Sequence, residues 1–315
     1  MSPSIPSAPL LVAVSARALL DMEQSAEIFH GEGRDAYIRH HRNLDGVPLS
    51  PGAAMPLAMA LQRVNERAGC ILTEIVVASS IDPATGIRVM ASAEHHGLRR
   101  LRGLFTGGAD ISTYLEVLGV QLLLCRNSHD AQRSIDAGIA AATVTDLPAG
   151  YIRDDDPLRV AFDGDAVIFS EESERIYRDH GMEAFIAHEE AKAREPMRAG
   201  PFAQVLAAMA RMQREAGRDA VRTALVTARN APVHERMLRT LLAWGIEIDE
   251  ALFLGGWDKG AALRAFRPHM FFDDGPLHIE AARNSVPCGL VPWRSANCPA
   301  EMTADEPHVI ERRNK

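Results

Sequence analysis

Apolar residues in the second half of the chain fall into short runs rich in β-branched and aromatic side chains: Leu158–Phe162, Thr223–Thr227, Glu250–Leu254 and His269–Phe272. Turn-forming residues follow each run. Runs of that length, bounded by turns, predict buried strands. Between the first two, Ile176, Phe185, Val205, Leu206, Met209 and Met212 recur near helical spacing, which predicts a helical cap insertion over about 170–216. Pro196 to Pro201, with Gly200 between them, breaks this insertion into two helical parts, because proline lacks a backbone donor and clashes with the preceding turn.

The pattern repeats. VAVSARALLDMEQSAEIFHGEGRDAYIRHH, from Val12, resembles VAFDGDAVIFSEESERIYRDHGMEAFIAHE, from Val160, an offset of 148. Without gaps it brings Ile28 onto Ile176, Phe29 onto Tyr177, Gly33 onto Gly181, Tyr37 onto Phe185, Pro48 onto Pro196 and Gly52 onto Gly200. Further on, Gly97 falls on Gly245, Phe105 on Phe253 and Gly107-Gly108 on Gly255-Gly256. Each half reads as strand, long helical stretch, then strand and helix in alternation. The predicted fold is therefore α/β: a Rossmann-like parallel sheet flanked by helices, internally duplicated, with halves 1–150 and 151–315. DLPAGYIRDDDP, at 146–157, marks the boundary, and the polar stretch from about Pro299 is expected to be loosely held.

A net charge of -8 and a pI near 5.8 argue against a nucleic-acid or anionic-membrane binder, but a small anionic substrate needs only a local positive pocket. The opening MSPSIPSAPLLVAVSARALL has no basic flank, and Arg17 interrupts its apolar run, unlike a secretory leader. The four cysteines are far apart, with no metal-ligand spacing. A cytoplasmic location is expected, and a homo-oligomer is compatible with this composition.

Four pieces of the second half end predicted strands, where open parallel sheets place their ligand crevice. These are Asp163-Gly164-Asp165, Thr227, Lys259 in GGWDKG, and Asp273-Asp274 in FFDDG. Singly, each reads equally well as a turn, a helix cap or a surface residue. Together they gather carboxylates, a hydroxyl and an ammonium, the donor set of phosphoryl transfer. Mg2+ takes hard oxygen ligands, and Lys259 would neutralise phosphoryl charge. An aspartate nucleophile, Asp163, splits hydrolysis into two displacements. Asp165 would protonate the leaving alkoxide and then activate water.

The order Asp-x-Asp, Thr, Lys, Asp-Asp resembles the four-motif signature of haloacid-dehalogenase-like phosphatases. AFDGDAVIFSEESERIY, RTALVTARNAPVHERMLRTLLAWG, LFLGGWDKG and FFDDG, with SARALLDMEQSAEIF and LFTGGADISTYL in the first half, are similar to cytosolic 5'-nucleotidases of the type I kind. The resemblance implies Asp163 as nucleophile and metal ligand, and Asp165 as acid/base that also offers its backbone carbonyl to Mg2+. It implies Thr227 and Lys259 at the phosphoryl group, and Asp273 and Asp274 completing the metal site. It also implies a nucleoside 5'-monophosphate substrate, AMP or IMP first. A sugar phosphate or another small phosphomonoester is the alternative substrate, and a non-catalytic nucleotide-binding regulator the alternative function.

At the repeat offset, Asp163 falls on Ser15, Asp165 on Arg17, Lys259 on Ile111, Asp273 on Cys125 and Asp274 on Arg126. Thr227 falls on Ser79 or, with a gap, Ala78. The first half lacks the carboxylates and is expected to be catalytically dead. It is either a scaffold or a nucleotide effector pocket at Ser15, Arg17 and Arg126. Arg229 is a further phosphate-binding candidate, and Phe169, Ser170 and Trp257 are candidates for contacting the nucleoside. The pairs His40-His41 and His95-His96 read as surface or interface residues, and HEEAKARE, at His188–Glu195, as a solvated helix face.

Overall fold

In the computed structural model, which describes residues 3, 6–151 and 157–295, the apolar runs become one ten-stranded sheet. The strands are β1 (Leu10–Val14), β2 (Thr73–Ser79), β3 (Arg102–Phe105), β4 (Leu122–Cys125), β5 (Ala140–Val144), β6 (Leu158–Phe162), β7 (Val221–Thr227), β8 (Glu250–Phe253), β9 (Met270–Asp273) and β10 (Cys288–Leu290). Their order is β3-β2-β1-β4-β5-β10-β9-β6-β7-β8. Every pairing is parallel except the central one, where β5 and β10 run antiparallel with Val144 opposite Gly289. The central strands β4, β6 and β9 are mostly apolar, with Arg159 in β6 and Asp273 at the end of β9 as the charged exceptions, because helices cover both faces of the sheet.

Each half contributes five strands in the same spatial order. Shifting β1 to β4 by 148 gives the bounds of β6 to β9 residue for residue, and the crossover helix Met55–Ala68 becomes Ala203–Ala216. The match extends to the backbone: Gly33 (φ 85°) and Gly181 (φ 81°) kink equivalent helical hairpins, and Gly107-Gly108 and Gly255-Gly256 all have positive φ. At Gly52 and Gly200 an added Cβ would lie 2.7 Å from the Ala18 carbonyl and 2.3 Å from the Phe169 carbonyl, so both turns require glycine.

Four sequence expectations need correction. A fifth strand closes each half; β10 has only three residues and follows Pro287, too little for an apolar run to register. The cap is narrower than 170–216. The expected insertion divides into helix Glu172–Ala191, kinked at Gly181, and Ala203–Ala216, a crossover helix buried against β7 and against Met55–Ala68, so only the first is left as a cap candidate. The gapless offset also fails locally. Leu20 bridges Pro51, while Phe169, not Ile168, bridges Ala199. The turn after β6 thus holds one more residue than the turn after β1, and Ala166 within it takes φ 57°. Lastly, His41 is buried: Arg88 Nη1 donates to its Nδ1 (3.3 Å) and Tyr37 packs on its ring. The predicted boundary at 146–157 and the tail from Pro299 fall partly or wholly outside the described residues. Among those described, no helix is long and apolar enough to cross a membrane.

Candidate active site

Strands β6, β7 and β9 are adjacent, so their carboxyl ends open onto one crevice. Asp163 leaves β6 with its N–H held by the Phe272 carbonyl (2.8 Å), and Asp273 ends β9. Helix Lys259–Phe266, capped by Asp258 on the Gly260 N–H (2.8 Å), brings its first residue between them. Lys259 Nζ donates to Asp163 Oδ1 (2.9 Å) and Asp273 Oδ2 (2.7 Å). All three side chains are buried. Burial pulls the Lys259 pKa down, but the two carboxylates raise it above its ordinary value, so the ammonium stays charged.

Asp163, Asp273 and Asp274 offer oxygens within 4.8 Å of one another. Burial pushes the Asp163 carboxyl up to about 6, with the charges of Asp273 and Asp165 adding to the effect against Lys259. Burial, then the charges of Asp163 and Asp273, raises Asp274 well above the usual range. Three carboxylates against one ammonium leave excess negative charge in a dry crevice made of hard oxygen donors, which is compatible with a divalent cation. Asp273 is oriented from three sides: Oδ1 accepts from the Gly275 N–H (2.7 Å) and faces His278 Nδ1 (3.1 Å), while Oδ2 accepts from Lys259. Asp274 accepts at Oδ2 from Trp293 Nε1 (2.6 Å).

Thr227 ends β7 beside the crevice, and its Oγ1 accepts from the Arg229 N–H (3.2 Å). The Arg229 guanidinium is taken up by two carboxylates and a carbonyl. Nε and Nη2 donate to the two oxygens of Asp165 (2.7 and 2.6 Å), and Nη1 donates to Glu189 Oε2 (2.5 Å) and the Val233 carbonyl (3.2 Å). With every nitrogen engaged and the side chain 4% exposed, Arg229 is corrected from phosphate ligand to carboxylate partner.

Phe169 lies in the core, 0% exposed and packed on Trp244, so it cannot stack on a base there. Trp257 is 80% exposed on its loop. Ser170 lines a cavity of about 260 Å³ with Ala166, Arg175, Arg198 and Trp293 beside the crevice, and its buried hydroxyl lacks a hydrogen-bond partner.

His278, Trp293 and Glu189 escaped sequence reasoning. His278 follows Asp273 by five residues, a spacing with no meaning until the helix Pro276–Ala282 is in place. Trp293 follows the unpredicted β10. Glu189 sits in the charged run read as solvated, yet its side chain is 0% exposed.

In the first half, Ser15 Oγ caps the next turn (3.3 Å to the Ala18 N–H). Arg17 and Arg126 both reach Glu23 (3.0 and 3.6 Å), and Arg126 also pairs with Asp146 (2.6 Å). Arg17 borders a cavity of about 360 Å³ with Phe29, His30, Arg34 and Tyr37, a cavity that Ser15 and Arg126 do not line.

A sequence profile of the 5'-nucleotidase family matches residues 2–298. The chain belongs to that family. Human (Homo sapiens) cytosolic 5'-nucleotidase 1B is 37% identical over 294 residues, covering 89% of this chain and 48% of that protein. The chain thus spans about half the length of that curated relative. No solved structure matches it. Within the family frame, the crevice at β6, β7 and β9 is the candidate active site, and the first half repeats its scaffold with other side chains at the strand ends.

Proposed function

We propose that the chain is a cytoplasmic, Mg2+-dependent 5'-nucleotidase that hydrolyses nucleoside 5'-monophosphates, AMP or IMP first, to nucleoside and phosphate. The observation that carries this reading is the buried set Asp163, Lys259, Asp273 and Asp274 at adjacent strand ends of a chain in the 5'-nucleotidase family.

A carboxylate oxygen of Asp163 attacks phosphorus, the bond to the 5' oxygen breaks, and Asp165 supplies the proton that the departing alkoxide takes up. The same group, now a carboxylate, takes a proton from water as that water attacks the aspartyl phosphate, releasing phosphate and restoring Asp163. Lys259 and Thr227 bind the phosphoryl oxygens through the ammonium and the hydroxyl. Asp163, Asp273 and Asp274 would hold Mg2+, each offering one carboxylate oxygen. The Asp165 backbone carbonyl would be a further ligand. Bound there, the cation would supply charge neutralisation for the phosphoryl oxygens. The first half acts as scaffold: Glu23 already provides the anion that Arg17 and Arg126 attract.

The test is Mg2+-dependent phosphate release from a panel of nucleoside monophosphates and sugar phosphates, beside Asp163→Asn. Release from one or two nucleotides, abolished by EDTA and by the substitution, is expected. Turnover of sugar phosphates alone would move the substrate, and no turnover at all would favour a silent nucleotide-binding protein.

A further inference from the structure

We infer that Glu189 of the cap and Arg229 are positioning residues that aim Asp165 at the leaving oxygen, an inference that rests on the nucleotidase reading above. Asp165 is the only group there assigned to move protons, and both its oxygens are fixed by one guanidinium. A fork of two parallel bonds sets the plane of a carboxylate as well as its place. That guanidinium is itself fixed from the other side by Glu189 Oε2 and lies 4.9 Å over the Phe185 ring. Phe185 and Glu189 are four residues apart in the cap helix and therefore share a face. The position of the cap thus reaches the acid through two side chains, all of it within a buried network.

Anchoring the cap does not require this link, as the first half demonstrates. There the equivalent hairpin is fastened by Arg88, whose Nε donates to the Val47 carbonyl (2.9 Å) and whose Nη1 faces His41. In the second half Arg236 Nε donates to the Glu195 carbonyl (3.1 Å) and Nη1 to Glu189 Oε1 (2.9 Å). The hydroxyls of Ser92 and Thr240 accept from the Leu49 and Met197 N–H groups, each at 3.0 Å. All these pairs are related by the offset of 148. At the same offset Arg229 and Glu189 become Ile81 and His41, and the shorter turn after β1 that answers to the one holding Asp165 carries Ser15, Ala16 and Arg17, without a carboxylate. The fastening by Arg88 or Arg236 is present in both halves, and Glu189 takes part in it through Oε1; the bonds from Arg229 to Glu189 Oε2 and to Asp165 are the addition, and they occur beside the carboxylate cluster.

A leaving group that needs no proton separates positioning from general damage. The substrates are a nucleoside 5'-monophosphate and its analogue with sulfur at the bridging 5' position, whose thiolate departs unprotonated. Asp165→Asn calibrates the response. Glu189→His, which installs the residue that the first half tolerates, and Arg229→Lys, which removes the fork, are measured on the full-length Mg2+-loaded protein.

For both variants kcat on the monophosphate should fall by about 100-fold, with KM within about threefold. Cleavage of the thio analogue, read as first-turnover thiol release, should fall by less than about threefold. Both variants are assayed well below their own melting temperatures, which should fall by several degrees because each substitution disturbs a buried ion pair. Equal losses on both substrates, or unchanged turnover on the monophosphate, would overturn the inference. The nucleotidase reading fails separately, if the unsubstituted protein cleaves neither substrate or if Asp163→Asn retains turnover.

Discussion

The two halves of this chain have the same strands, the same crossover helices and the same glycine-dependent turns, yet they end their strands on different chemistry. Asp110 caps the Ser112 N–H in the first half as Asp258 caps Gly260 in the second (3.0 and 2.8 Å). One residue after each cap, Ile111 is buried apolar and Lys259 is an ammonium between two carboxylates. Fold and reactivity therefore separate cleanly: buried apolar strands, caps and glycines make the sheet, and a handful of polar side chains at its carboxyl edge make the candidate site.

Exchanging side chains between the halves tests that separation. The largest effect is expected from Lys259→Ile, which places the first half's residue in the crevice. With Asp163 and Asp273 left facing each other unpaired, phosphate release should drop by about 10³-fold. Retention of more than a tenth of turnover in a steady-state assay would mean that Lys259 is no more reactive in role than Ile111.

A smaller effect should appear as pH-dependent stability, and in the first half. Burial, then the neighbouring Arg88 charge, pushes His41 down to about 4, below its ordinary value of 6.5. The unfolded chain therefore takes up this proton first. Stability is complete above pH 6.5 and falls as pH drops toward 4, by up to about 3 kcal/mol. Glu189, the equivalent residue, behaves differently. Burial raises its pKa, but Arg229, Ser173 and Arg236 together hold it below the ordinary range, so its contribution persists to lower pH and is lost only as pH falls through that depressed value. Denaturant midpoints at pH 7 and 4.5 should differ less in His41→Gln than in the unsubstituted protein; identical shifts would remove the contrast. The smallest effect is expected from Arg17→Ala with Arg126→Ala, which should leave phosphate release within about twofold. A clear loss of basal turnover would give the first half a catalytic share.

Much of this was legible in the sequence because the signals were local. The offset of 148 located nearly every strand, and the four polar pieces after strands located the candidate site. What escaped depends on packing between elements. Glu189 belongs to a charged run whose composition suggests solvent, and only the approach of Arg229 from the loop after β7 and of Arg236 from the helix Glu235–Ala243 buries the carboxylate. Arg229 stands two residues from Thr227, which makes it a phosphate candidate by proximity, but spacing does not reveal which carboxylates claim its guanidinium. The extra residue in the turn after β6 is invisible to a gapless alignment, which regains its register before Gly181.

The antiparallel contact between β5 and β10 has an evolutionary reading. Equivalent strands meeting head to tail across a rough dyad are the arrangement by which two identical subunits share one sheet in a symmetric dimer. Here the partnership is covalent and occurs once per molecule. A true homodimer carries every substitution twice, so it cannot lose one crevice and keep the other. Fusion lifts that constraint: one copy can drift toward support while its twin keeps the chemistry, and the sheet that joins them needs no second chain to complete it.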